Sequence, residues 1–149
     1  MIRIRPARVE DVGLLYGLVK EMSEYERLPM PITKQQLSLD GFSETPLFQA
    51  HLAFVDDEAA GYAMTHGCYT DFEGRGLFLE SLYVKEPFRG REVAEALLSE
   101  IVRVARDLRC YGVVLNILRW NSRAVKFFQK AGAVELDDRA VYLIPAKEF

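Results

Sequence analysis

Hydrophobic and polar positions alternate at the start of the chain and then change to a helical spacing. Residues 2–5 (IRIR) alternate apolar and charged side chains, which predicts a half-buried strand that ends at Pro6. From Asp11 onward the apolar residues recur on one helix face, which predicts an amphipathic helix. Two prolines in residues 23–37 turn the chain, and a short helix is expected near residues 33–40.

Three apolar runs in the middle of the chain predict an antiparallel meander. Residues 50–56, 61–69 and 77–84 are rich in strand-forming side chains, and turn sequences separate them. A helical spacing of apolar residues then predicts a helix that runs to about Arg109.

The last third of the chain predicts a central strand, a helix and two closing strands. The run 112–118 is almost entirely apolar, and residues 121–132 predict a short helix that Gly132 stops. Residues 133–136 and 140–145 are expected to be strands. This order of elements favours a mixed α/β protein with helices packed on one sheet, in a single domain over residues 1–149.

Composition and charge narrow the classes of function. Half of the residues are hydrophobic, 28% are charged and the net charge is −3, which is ordinary for a soluble globular protein. Nucleic acid is not an expected partner, because no basic surface is indicated. No run of 18 apolar residues and no apolar leader occurs, so the membrane is not an expected partner and a cytoplasmic location is expected.

The cysteines, histidines and tryptophan are interpreted as structural residues. Cys68 and Cys110 lack metal-binding spacing, so reduced, mostly buried thiols and no metal site are expected. His51 and His66 fall in predicted strands, and Trp120 is interpreted as a core residue.

An arginine-rich turn, residues 85–92, joins the third strand of the meander to the next helix; we call it the arginine turn. Unpaired backbone N–H groups and the positive end of the dipole favour an anion at a helix start. Arg89 and Arg91 could add charged hydrogen bonds to a phosphate. The residues alone leave an ordinary turn open, and they match neither a Walker loop nor a dinucleotide fingerprint.

The arginine turn resembles the acetyl-CoA loop of the GNAT acetyltransferase superfamily, written Arg/Gln-x-x-Gly-x-Gly/Ala after a strand. Residues 120–133 (WNSRAVKFFQKAGA) resemble the family's second signature, an Asn followed by a helix and a Gly-Ala turn. Segments along nearly the whole chain are similar to the spermidine/spermine (diamine) acetyltransferase branch and its thialysine-acetylating relatives. They are IRPA, KEMSEYE, DGFSETPLF, GYAM, FLESLYV, FRG and WN. The resemblance implies the GNAT fold, with a mixed, largely antiparallel, twisted sheet of about seven strands and about four helices.

The resemblance also implies acetyl-CoA as co-substrate, held where strands four and five diverge. It places the pantetheine arm on the strand-four backbone and the pyrophosphate on the backbone amides of Arg89 to Ala94. Asn121 would bond the pantetheine, and Ala124 would lie nearby. The implied cofactor-binding residues are Leu82, Tyr83, Val84, Arg89, Gly90, Arg91, Glu92, Val93, Ala94, Asn121, Ala124 and Phe128.

Acetylation of an amine needs a base that removes a proton from the amine. The strand pattern places Glu80 at an inward-facing position, and an ion-paired or partly exposed glutamate is an equal interpretation from the residues alone. Glu80 matches the family's amine-handling glutamate, which implies a catalytic role. The implied substrate-binding residues are Tyr25, Glu26, Glu80 and Ser81, although Tyr25 and Glu26 also suit an exposed helix end.

Three residues depart from the family pattern. Phe128 stands where a tyrosine usually protonates the leaving thiolate, and phenylalanine has no proton to give. Glu92 replaces the first glycine of the loop, and Ser81 replaces the aspartate of a Glu-Asp pair.

The main hypothesis is a GNAT N-acetyltransferase that moves acetyl from acetyl-CoA directly to a primary amine of a small polyamine-like or lysine-like substrate. A homodimer is expected by resemblance. The rival hypothesis is a catalytically weakened CoA-binding or ligand-sensing module with the same fold, motivated by Phe128 and Glu92.

Overall fold

The computed structural model describes all residues, 1–149. The chain divides into two compact units, residues 1–116 and residues 117–149. The first unit contains all five strands and three of the four α-helices. In chain order, the elements are β1 (Ile2–Pro6), α1 (Val12–Glu26), α2 (Lys34–Phe42), β2 (Gln49–Val55), β3 (Glu58–Thr70), β4 (Gly74–Val84), α3 (Val93–Asp107), β5 (Val113–Val114) and, in the second unit, α4 (Ser122–Lys130).

The strands form one sheet in the order β1-β2-β3-β4-β5. The first four strands are antiparallel neighbours, and β5 lies parallel to β4. The predicted mixed, largely antiparallel sheet and the four helices are therefore confirmed. Asp56 and Asp57 form the tight turn between β2 and β3 with φ values of 48° and 66°, because a two-residue hairpin loop favours positive φ.

The predicted count of about seven strands is wrong, since the structure has five. Residues 133–136 and 140–145 are apolar enough for strands, but the structure assigns no strand to them. A strand needs a hydrogen-bonding neighbour as well as a suitable sequence. For the same reason the predicted strand over 112–118 is reduced to β5, which pairs with β4 through two residues.

Two groups of buried side chains hold the sheet between helices. On one face, helices α1 and α2 contribute Leu15, Leu18 and Leu37 to a cluster with Leu52 and Tyr62. Successive strand residues point to opposite faces, so the buried Ala53 and Ala63 belong to the other face. Helix α3 contacts β3 and β4 and buries its own apolar residues there. These residues are Val93, Leu97, Ile101 and Ala105.

No helix in the structure combines the length and the apolar character that a membrane crossing requires.

Candidate functional site

Strand β4 has a partner on both sides only near its beginning. Leu77 and Phe78 pair with Val113 and Val114 of β5, whereas the pairing with β3 continues to Val84. Residues 79–84 therefore have strand pairing on one side only. The predicted pantetheine contacts, Leu82 to Val84, lie in this stretch, which we call the open edge of β4.

A β-bulge interrupts the pairing of β3 with β4 beside this edge. Met64 pairs with Ser81 and Thr65 pairs with Leu79, so Glu80 is the extra residue. The bulge turns Glu80 outward, and its side chain is 54% exposed. The predicted inward-facing position is therefore wrong, because strict alternation fails at a bulge. An exposed carboxylate is free to meet a substrate.

The structure brings the four predicted substrate-binding residues to one side of the sheet. Burial, followed by the charge of Glu80, raises the pKa of Glu26, so these two carboxyl groups act on each other across the site. The Tyr25 ring lies 6.5 Å from the Tyr83 ring. Ser81 lies near the hydroxyl of Tyr62, whose pKa burial raises well above its ordinary value.

His66 is a site residue that sequence reasoning missed. Its Nε2 atom lies 3.6 Å from Oε2 of Glu80, and its ring stacks on Phe78 with ring centres 5.0 Å apart. The contact depends on the register across the bulge. The alternation of residues along β3 could not have shown which β4 residue His66 faces.

The arginine turn contains two residues in the left-handed region. Gly90 has φ 76°, and Glu92, the N-cap of α3, has φ 64° and ψ 14°. The exposed Glu92 side chain makes no capping hydrogen bond. The first N–H groups of α3, including those of Val93 and Ala94, have no intrahelical acceptor. These N–H groups and the positive helix end suit an anion.

The guanidinium groups of the two arginines in the turn lie over aromatic rings. Arg89 donates from Nε to the carbonyl oxygen of Val84 at 2.9 Å, and its guanidinium lies 4.9 Å from the centre of the Tyr25 ring. Arg91 lies 5.5 Å from the ring centre of the buried Phe88. Arg89 thus ties the open edge of β4 to the end of α1.

In the second unit, Asn121 and Phe128 are buried. The Asn121 Oδ1 atom accepts from the Ala124 N–H at 3.2 Å and caps α4, which leaves the side-chain NH₂ for another partner. Phe128 packs edge-on against Phe127. Trp120 is 57% exposed, so its interpretation as a core residue is wrong.

A cavity of about 500 Å³ lies at the C-terminal end of α3, and His66 is one of the residues that line it. Cys68 and Cys110 line it, and both thiols are only half-buried. Burial raises the pKa of the Cys68 thiol, and the neighbouring Cys110 adds to this effect. None of the predicted site residues lines this cavity. No group of three or more His, Cys, Asp or Glu side chains is arranged to hold a metal ion.

Comparison with known proteins gives matches over the whole chain. A model of the Acetyltransferase (GNAT) family matches residues 15–133. Thialysine N-epsilon-acetyltransferase of Bos taurus is 31% identical over 147 residues, which cover 92% of this chain and 86% of that protein. Spermidine/spermine N(1)-acetyltransferase-like protein 1 of Homo sapiens is 27% identical over 143 residues, which cover 90% of this chain and 21% of that protein.

Solved structures share the fold at lower identity. An integron cassette protein from the mobile metagenome of V. cholerae superimposes with a TM-score of 0.83 at 18% identity, covering 99% of this chain and 94% of that one. Aminoglycoside N-acetyltransferase AAC(6')-Iy, in complex with CoA, has a TM-score of 0.81 at 19% identity, covering 98% and 95% of the two chains.

Proposed function

Because the chain belongs to the GNAT acetyltransferase family, in its thialysine and diamine acetyltransferase-like branch, we propose that it transfers acetyl from acetyl-CoA to a primary amine of a small lysine-like or polyamine-like substrate. Relatives that carry the names thialysine and spermidine/spermine acetyltransferase support this substrate class. Two mutually interacting carboxyl groups, Glu26 and Glu80, suit a cationic amine.

Acetyl-CoA is proposed to bind along the open edge of β4 and at the start of α3. The backbone of Leu82 to Val84 pairs with β3 on one side only, and its other side offers hydrogen bonds to an amide-rich pantetheine arm. The N–H groups that open α3 offer donors to the pyrophosphate. The cofactor roles of Asn121, Ala124 and Phe128 stay predictions from the family's second signature.

The chemistry requires one proton to leave the amine before it attacks. The substrate ammonium gives a proton to the Glu80 carboxylate, directly or through water, and the free amine attacks the thioester carbonyl carbon. The nitrogen of the resulting adduct gives its second proton to water, the carbon–sulfur bond breaks, and a neutral amide and the CoA thiolate result. The observation that carries the proposal is the exposed Glu80 carboxylate at the bulge, directly before the open edge of β4.

The test measures release of the CoA thiol from acetyl-CoA in the presence of a panel that includes thialysine, lysine and spermidine. We expect amine-dependent release by the wild type. Glu80→Gln should lower kcat by roughly 10²–10⁴-fold, the typical contribution of a general base. Glu73→Gln, in the distant turn between β3 and β4, is the matched control and should keep the wild-type rate.

Two outcomes would contradict parts of the proposal. A wild type that binds acetyl-CoA in calorimetry but releases no thiol with any amine would contradict catalysis and favour the ligand-sensing module. An active Glu80→Gln variant with unchanged kcat would contradict the assignment of Glu80 as the base.

A further inference from the structure

His66 and Glu80 meet at the bulge between β3 and β4. The 3.6 Å between His66 Nε2 and Glu80 Oε2 is an ion-pair distance, a little longer than a hydrogen bond. The imidazole lies on the Phe78 ring with an angle of 13° between the ring planes. This stack fixes the direction in which Nε2 points, and the half-exposed Glu80 side chain can close the remaining gap by rotation.

A second contact favours the tautomer in which Nδ1 of His66 carries the hydrogen. The Nδ1 atom lies 3.2 Å from the carbonyl oxygen of Gly67. A carbonyl oxygen only accepts hydrogen bonds, so Nδ1 must donate. In a neutral imidazole the other nitrogen then carries a lone pair. The atom that faces Glu80 is therefore a proton acceptor.

We propose that His66 is a positioning residue that acts through Glu80, because its Nε2 atom accepts a hydrogen bond from the protonated Glu80 carboxyl group and then takes the proton that Glu80 has removed from the amine substrate. This inference rests on the proposed function, in which Glu80 is the base. It gives a role to a histidine that the strand pattern marks only as structural.

The proton moves in three balanced steps. An N–H bond of the substrate ammonium breaks as an O–H bond forms on Glu80. That O–H bond breaks as an N–H bond forms at Nε2 of His66, which restores the Glu80 carboxylate beside an imidazolium. The imidazolium then gives the proton to water, which the 38% exposed His66 side chain can reach. No electrons are gained or lost.

The charge of Glu80 also acts on two other titratable groups. Tyr62 has its pKa raised by burial and donates its hydroxyl to Sδ of Met22 at 3.2 Å. Glu26 has its pKa raised by burial and by the charge of Glu80. His66 is the nitrogen base that the structure brings within ion-pair distance of Glu80.

Two substitutions at His66 separate its ability to accept a proton from the space that its ring fills. His66→Phe keeps an aromatic ring for the stack on Phe78 and removes both nitrogens. His66→Gln keeps an amide donor near the position of Nε2 but takes up no proton near neutral pH. The assay is steady-state release of the CoA thiol by the full chain, with the most active amine of the panel.

We expect both variants to lower kcat by about tenfold and to leave the KM for acetyl-CoA unchanged. The loss is smaller than the roughly 10²–10⁴-fold of a direct base, because Glu80 also exchanges protons with water. Imidazole in the buffer should restore part of the rate of His66→Ala and none of the rate of Glu80→Gln. In a Glu80→Gln background, His66→Phe should cause no further loss, because the two residues act in one step.

Several results would overturn the inference. One is a kcat equal to that of the wild type in His66→Phe or His66→Gln. Another is that imidazole restores none of the rate of His66→Ala. A third is that His66→Phe lowers kcat as much in the Glu80→Gln background as it does alone. If the wild type itself shows no amine-dependent release, the proposed function falls and takes this inference with it. An active wild type with insensitive His66 variants overturns the role of His66 alone.

Discussion

Glu92 holds a backbone conformation that is costly for a residue with a side chain. Its φ of 64° places it in the left-handed region, where the family pattern has glycine. The left-handed conformation costs an L-residue roughly 1–2 kcal/mol, whereas glycine costs about 0.5–1 kcal/mol through its freedom in the unfolded chain. The first effect is larger, so the position still favours glycine.

Glu92→Gly should therefore raise the free energy of unfolding by about 0.5–1 kcal/mol, the difference between these two costs. It should also tighten acetyl-CoA binding, because it removes a negative charge beside the proposed diphosphate site. Urea unfolding and calorimetric titration measure the two effects. Glu92→Gln is the matched control, since it removes the charge and keeps the strained φ. Weaker acetyl-CoA binding by the glycine variant would show that the Glu92 side chain supports the loop.

Phe128 tests how the thiolate leaves. The pKa of an ordinary thiol is about 8.5, so the CoA thiolate is a tolerable leaving group even when no acid protonates it. Phe128→Tyr should raise kcat and leave the KM for acetyl-CoA nearly unchanged, because a phenol would act mainly in the transition state. Steady-state rates across pH measure this effect, with Phe127→Tyr as the control. No increase at any pH would mean that this position supplies no proton.

The sequence predicted residue types better than residue environments. The resemblance selected Glu80, Glu26 and Tyr25, and the structure gathers them on one side of the sheet. The outward turn of Glu80 and the contact with His66 depend on one extra residue in the β3–β4 register. A period-two pattern has no means of showing such a shift.

At the scale of elements, a half-buried ion pair joins β1 to the start of α1. Arg5 donates two hydrogen bonds to the Asp11 carboxylate at 2.7 and 3.0 Å, and the Arg8 backbone N–H donates a third at 2.8 Å. The hydrogen bond from Arg5 is the main cause that lowers the pKa of Asp11 to about 2. The Asp11 side chain is only 14% exposed, so solvent screens the pair weakly.

Asp11→Asn should lower the free energy of unfolding at pH 7 by about 2 kcal/mol, since each pKa unit corresponds to roughly 1.4 kcal/mol. A carboxyl with a depressed folded-state pKa stabilises the fold above its unfolded pKa of 3.8. That stability is lost as the pH falls through about 2, the folded-state pKa. Denaturant unfolding from pH 7 to pH 2 should show the two proteins converge at the acid end.

The control for this change is Asp138→Asn, which removes an exposed carboxylate paired with the neighbouring Arg139. Exposed pairs contribute little, so no measurable change is expected. A constant difference between Asp11→Asn and the wild type at every pH would show that the cost comes from packing and not from charge.

Elements that depend on their own sequence pattern were predicted well, and strands that need a partner distant in the sequence were not. Helices α1 and α3 follow from the spacing of their own apolar residues, and the meander follows from its turns. The closing strands over 133–136 and 140–145 depended on a neighbour that residues close in sequence do not provide. Strand β5 shows the same dependence, because only two of its seven predicted residues pair with β4.

At the scale of the whole molecule, the homodimer remains a prediction. The second unit exposes four consecutive apolar residues, and an apolar patch of this kind often marks an interface. They are Val141, Tyr142, Leu143 and Ile144. We propose that a second copy of this chain covers them, as the branch resemblance implies.

Light scattering coupled to size-exclusion chromatography should give a dimer mass for the wild type and a monomer mass for Leu143→Asp. Phe72→Asp is the matched control, because Phe72 is equally exposed but lies in the turn between β3 and β4. A wild-type monomer at all concentrations would contradict the dimer. A dimer that survives Leu143→Asp would place the interface elsewhere.

The open edge of β4 has a consequence for the tendency of the protein to aggregate. A strand that lacks a neighbour on one side presents there a row of N–H and C=O groups that can template pairing with another chain. Residues 79–84 are such a row, apart from the Val84 carbonyl that Arg89 occupies. A pantetheine arm laid along this row would satisfy the same groups. Bound acetyl-CoA would then block pairing of this edge with another chain. Protein stored with acetyl-CoA should therefore aggregate more slowly than protein stored without it.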